Sequence, residues 1–106
     1  MTEPLATVDV ERHEADVTLA VAGEIDLSNA QEIQLRIEES IRNAESVTVD
    51  LRAVEYMDSR GVRLLHELSR RLAADGVELT VVAPADTIAG EILRLTHLPG
   101  LAPNPS

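Results

Sequence analysis

Apolar and polar positions alternate along the first quarter of the chain. Residues 6–11 and 16–22 follow a period of two and carry Val and Thr, which predicts two strands joined by a tight turn near residues 13–15 and paired antiparallel. The period then lengthens. Ala30, Ile33, Ile37, Ile41 and Ala44 recur at helical spacing, with Glu32, Glu38 and Glu39 off the stripe; Leu35 also falls off it and is expected to be exposed. Asp26 and Ser28 stand just before this helix as candidate caps. Residues 46–51 are a β-branched run that reads as a buried strand. Asp50 lies near its end and is expected to be a turn residue.

From residue 60 to 74 the positions Gly61, Leu64, Leu65, Leu68 and Leu72 define the inner face of a second helix, ended by Asp75 and Gly76. Residues 77–82 form another buried strand. Pro84 is placed in the first turn of a third helix whose inner face is Ile88, Ile92 and Leu95. A helix between the strands at 46–51 and 77–82 implies a parallel, right-handed βαβ unit. The fold class is therefore α/β, a small mixed sheet with helices packed against it.

Composition narrows the function. The 106 residues leave room for one domain, residues 1–106, with an ordered core over about 6–98 and a Pro-rich tail at 99–106 expected to fray. Tyr56 is the only aromatic residue, so the core is aliphatic, and with no cysteine there is no disulfide or thiol chemistry. No apolar run approaches the roughly 20 residues of a membrane span. The acidic start lacks a signal pattern, so a cytoplasmic protein without membrane insertion is expected. A formal net charge of −10 argues against direct nucleic-acid binding. His13, His66 and His97 are scattered without ligand spacing, so no metal or other cofactor is implied. No phosphate loop or nucleophile motif occurs, which weighs against an enzyme, including a small nucleotide-hydrolysing domain.

The chemistry concentrates in VTVDLRAVEYMDSRG, where a strand and turn deliver Asp58 and Ser59 to the start of a helix. Unpaired backbone N–H groups and the helix dipole favour an acceptor or an anion there. Ser59 either caps the helix or carries a phosphate. Asp58 is a preferred N-cap type. Arg60 and Arg63 stand beside the serine as candidates for contact with a partner or a phosphate, whereas Arg70 and Arg71 read as a solvated face.

VTVDLRAVEYMDSRG resembles the signature of the STAS domain, specifically the bacterial anti-sigma factor antagonists, and VAGEIDLSNAQEI resembles that family's first diagnostic block. The resemblance runs from about residue 8 to 101. It implies a single-domain STAS fold, a mixed sheet of four or five strands with helices mainly on one face. Many members continue from the tail into a last strand and helix, and the terminal helix is expected to be absent here. The resemblance places Ser59 on the serine that a cognate kinase phosphorylates, gives Asp58 a share in the kinase contact, and puts Asp26 either at the cap of the first helix or on the same surface as Ser59. Gly61 matches a glycine that leaves no room for a side chain. Arg60 and Arg63 depart from the family, which usually has small residues there; a cation at 60 either neutralises a phosphate on Ser59 or redirects kinase recognition. The implied function is a switch that binds an anti-sigma factor with a kinase-type ATP-binding domain and releases a sigma factor, reset by a phosphatase. The alternative is a phosphorylation-independent STAS scaffold, in a stress-signalling assembly or as accessory subunit of an ABC transporter.

Overall fold

The computed structural model describes residues 4–103. Its elements are β1 (Ala6–His13), β2 (Asp16–Ile25), α1 (Ala30–Ser40), β3 (Ser46–Met57), α2 (Ser59–Ala74), β4 (Glu78–Val82) and α3 (Ile88–Leu95). The four strands form one sheet in the order β1-β2-β3-β4. β1 and β2 pair antiparallel through a hairpin with Glu14 at φ 57°, and the β2–β3 and β3–β4 pairs are parallel.

Alternation decides which face the helices cover. Val17, Leu19 and Val21 on β2 and Val47, Val49 and Leu51 on β3 are almost wholly buried, while Thr18, Ala20, Ala22, Ser46, Thr48 and Asp50 on the opposite face are half-buried. The helices pack mainly on the first face, where Ile33, Ile37, Leu64, Leu65, Leu68, Leu72 and Leu93 complete the aliphatic core. Each such side chain, fully buried, contributes about 1.5–3 kcal/mol of transfer free energy.

The α2 face is the one the sequence predicts, and its end is a Schellman turn: Val77 N–H donates to the Leu72 carbonyl, Gly76 N–H to that of Ala73, and Gly76 sits at φ 72°. Four local expectations are corrected. α1 stops at Ser40, because Asn43 turns left-handed at φ 62°; Ala44 is buried beyond the helix. β3 runs on to Met57, so Asp50 is no turn residue but a mid-strand carboxylate gripped by Arg52 at 2.7 Å. That hydrogen-bonded guanidinium, with the Arg52 backbone N–H and its charge, holds Asp50 below the usual carboxylate range against a smaller opposing effect of burial.

The third correction is α3, which begins at Ile88 with Thr87 as its cap: the Thr87 hydroxyl accepts from Gly90 N–H at 3.0 Å. Pro84 lies before the helix, its carbonyl accepting from Thr87. The inner face is Ala89, Gly90 and Leu93; Ile88 and Leu95 face solvent, Leu95 at 75% exposure. Fourth, part of the tail is docked rather than frayed. Val81 N–H donates to the Gly100 carbonyl and Ala102 N–H to the Val81 carbonyl, both at 2.8 Å, so Leu101 makes a parallel bridge on the outer edge of β4. Residues 104–106 lie outside the described residues.

Candidate functional site

Parallel pairing of β2 with β3 ends at Ile25 opposite Met57. The turn leaving β2 (residues 26–29) and the turn leaving β3 (Asp58) therefore emerge side by side at the carboxyl ends of the strands, where sites in parallel sheets usually form.

Asp58 joins the two turns. Its Oδ1 accepts from Arg60 N–H at 2.9 Å as the side-chain cap of α2, and its Oδ2 accepts from Leu27 N–H at 3.1 Å in the neighbouring turn. Its own N–H donates to the Ile25 carbonyl at 3.1 Å. Capping is thus the work of Asp58 and not of Ser59. Ser59 is the first residue of α2, exposed, and its hydroxyl makes no hydrogen bond to any described residue.

Asp26 does not cap α1 with its side chain. The carboxylate closes its own turn, accepting from Ser28 N–H at 2.8 Å and from the Ser28 hydroxyl. The hydroxyl bond first, then the backbone bond from Ser28, lowers the Asp26 pKa. Asn29 occupies the N-cap position of α1 without capping it; its side chain accepts from Asp26 N–H and donates to the Glu24 carbonyl, stiffening the turn instead. The Leu27–Asp58 bond brings this turn to the start of α2, so Asp26, Asp58 and Ser59 belong to one surface.

Gly61 is buried because α2 closes directly onto the strand ends. A Cβ there would lie 2.4 Å from Met57 Cγ and 3.0 Å from Ile25 Cγ2. On the flank facing α1, Arg60 and Arg63 line an open groove of about 310 Å³ with Ala30, Gln31, Gln34, Leu64 and Glu67. Arg63 pairs with Glu67 at 3.1 Å; the Arg60 guanidinium has no hydrogen-bond partner among the described residues. Arg70 and Arg71 are both exposed, as on a solvated face, and Arg71 also reaches Glu38 of α1 at 2.7 Å. Partly exposed, that pair contributes about 0.2–1 kcal/mol.

Two exposed apolar side chains at this end escape the sequence reading. Leu27, 68% exposed, sits in the turn held by Asp58, and Tyr56, in register with Glu24, is about half exposed. The available signals were a leucine between two turn-forming polar residues and the lone aromatic of the chain. Among the described residues no group of three or more His, Asp or Glu could hold a metal ion, and no helix is long and apolar enough to cross a membrane.

If Asp58 latches both turns, Asp58→Ala loses a cap worth about 1 kcal/mol, and Tm is expected to fall by roughly 4–8 °C in a calorimetric scan. A fall under about 2 °C would show that the latch carries no weight.

Fold and site together define a small α/β module that presents a serine-bearing helix start beside a rigid acidic turn. The sequence profile of the STAS domain matches residues 7–102, and the chain belongs to that family. It is 33% identical over 96 residues to the anti-sigma-F factor antagonist RsfB of Mycobacterium tuberculosis, a stretch covering 90% of this chain and 75% of that protein. The anti-sigma-B factor antagonist of Bacillus subtilis is 26% identical over 94 residues, with 89% and 83% covered. Among solved structures, an anti-sigma factor antagonist from Mycobacterium paratuberculosis superposes with a TM-score of 0.80 at 27% identity, covering 98% of this chain and 92% of that one.

Proposed function

We propose that this protein is a cytoplasmic anti-sigma factor antagonist switched at Ser59. In its unmodified form it binds an anti-sigma factor carrying a kinase-type ATP-binding domain, and the sigma factor held by that protein goes free. The names of the relatives at 33% and 26% identity support the class of function. The observation that carries the switch is the Ser59 hydroxyl: exposed, unbonded and set at a helix start whose capping is already done by Asp58.

Transfer of the γ-phosphoryl group of ATP to that oxygen releases the hydroxyl proton and ADP. It adds about −1.5 to −2 of charge at neutral pH beside Asp58 and the Asp26 turn. The α2 dipole tolerates the new charge locally, so the domain stays folded while its docking surface, formally neutral over Asp26, Asp58, Arg60 and Arg63, becomes negative. Asp26, Asp58, Ser59, Arg60, Gly61 and Arg63 form the partner surface in this reading, and a phosphatase restores it. Incubation with ATP and the kinase-type anti-sigma factors of the same genome, followed by mass-spectrometric mapping, is expected to place the phosphate on Ser59; modification elsewhere overturns the switch.

The Arg60 guanidinium, with no hydrogen-bond partner among the described residues, favours a second reading, a STAS scaffold that docks without phosphorylation, in a stress-signalling assembly or on an ABC transporter. Stable copurification with such a complex, unchanged in Ser59→Glu, selects it.

A further inference from the structure

Ser59 and Arg63 are one turn apart on α2, at i and i+4, and both are exposed. The core-facing residues of that helix are Gly61, Leu64, Leu65, Leu68 and Leu72, so the stripe opposite them is Ser59, Arg63, His66 and Arg70. His66 is engaged across to α3, 3.0 Å from the Thr96 hydroxyl, and Arg70 is three turns from the serine. Arg63 is the cation within reach on the serine's own stripe. Its present partner, Glu67, lies one turn further on, and that pair is largely solvated, at 69% and 36% side-chain exposure. Arg60, one residue after the serine, is turned about 100° around the helix from it, although both arginines line the groove against α1.

We infer that Arg63 is the internal counter-charge of phosphorylated Ser59, leaving Glu67 to take the phosphoryl group. The inference rests on Ser59 being the modified residue. Three physical reasons select the exchange. A helical side chain leans toward the turn N-terminal to it, so Arg63 reaches back over Ser59 more readily than forward to Glu67. An anion N-terminal to a cation at i and i+4 is the favourable order. A phosphate dianion offers a planar guanidinium two oxygens and about twice the charge of the Glu67 carboxylate. Modification then does two things at the docking surface: it adds an anion at Ser59 and withdraws a guanidinium from the groove between α1 and α2. A partner that reads that groove senses a rearranged cation as well as a new charge.

The test encodes phosphoserine directly at position 59, without any kinase, and follows the second phosphate ionisation by ³¹P NMR in the full chain. Arg63→Gln is expected to raise that pKa by roughly 0.3 pH unit, while Arg70→Gln, which removes the same charge three turns away, leaves it nearly unmoved. Asp26 and Asp58, the acidic neighbours, are the same in every variant. A rise in Arg63→Gln no larger than in Arg70→Gln overturns the inference. So does a rise in Arg60→Gln as large as that in Arg63→Gln, since the counter-charge would then not be specific to Arg63. All three arginines are exposed, so the variants are expected to fold. Because the phosphoserine is encoded rather than added by a kinase, the result is independent of whether a cellular kinase uses Ser59, which the mapping experiment decides.

Discussion

Replacing Gly90 with alanine is expected to cost about 3 kcal/mol and to lower Tm by roughly 15 °C. A Cβ at this position in α3 would lie 2.0 Å from the Pro84 carbonyl oxygen and 2.6 Å from that of Ala83. Both obstacles are backbone, so no rotamer change relieves them. The helix would have to lift, and the lift strains every bond that holds it. Arg94 ties α3 to the Ala83 carbonyl at 2.6 Å and to that of Ala102 at 3.4 Å, while Thr87 links the Pro84 carbonyl to Gly90 N–H. Gly61 gives the comparison. Its added methyl would meet the flexible side chain of Met57, 2.4 Å away, and Gly61→Ala should be the milder change for that reason. Differential scanning calorimetry of the two variants checks the order. A fall under about 4 °C in Gly90→Ala would mean that α3 has slack the packing does not suggest.

Ser59→Glu is expected to weaken binding to the anti-sigma factor at least tenfold, about 1.4 kcal/mol, with Ser59→Ala left close to the parent. The comparison isolates charge. Alanine removes a hydroxyl that bonds to no described residue, so nothing in the domain is left unsatisfied. Glutamate adds one negative charge beside Asp58, on a protein already at −10. Like-charge opposition across an interface commonly costs several kcal/mol. Because a carboxylate carries only part of a phosphate's charge, the glutamate variant sets a lower bound for the phosphorylated form. Titration calorimetry at two salt concentrations tests the cause, since an electrostatic loss shrinks as salt rises. Equal affinity of the glutamate and parent proteins at low salt would remove charge as the switch.

The elements of this fold were legible where a single physical preference governs. The period-two strands, the leucine face of α2 and its glycine end all appear in the sequence as they stand in the structure, and so does the place of Ser59 at a helix start. The misreadings share a cause, which is competition between two local signals. In α3, Ile88 and Leu95 are far more hydrophobic than Ala89 and Gly90, yet the two small residues face inward, beside Leu93 and the partly buried Ile92, because the helix comes so close to the carbonyls of residues 83 and 84. Close approach selects by size, and periodicity does not see it. Asp50 resembled a turn former, but in β3 it sits on the half-open face, where Arg52 two residues on satisfies it. For Asp26 the bonding was not legible: a cap and a self-closed turn use the same residue types, and Asn29 decides between them.

The docked tail also bears on how copies of this domain meet at high concentration. Residues 100–102 occupy the outer edge of β4, which leaves β1 as the place where a sheet could grow by strand addition. There Arg36 already takes the Val8 carbonyl at 3.3 Å, and Asp9 and Glu11 would confront their own copies in an incoming chain. A covered border on one side and a self-repelling one on the other make fibrillar assembly unfavourable from the folded state. Trimming the last seven residues would expose a second border and remove half of that protection.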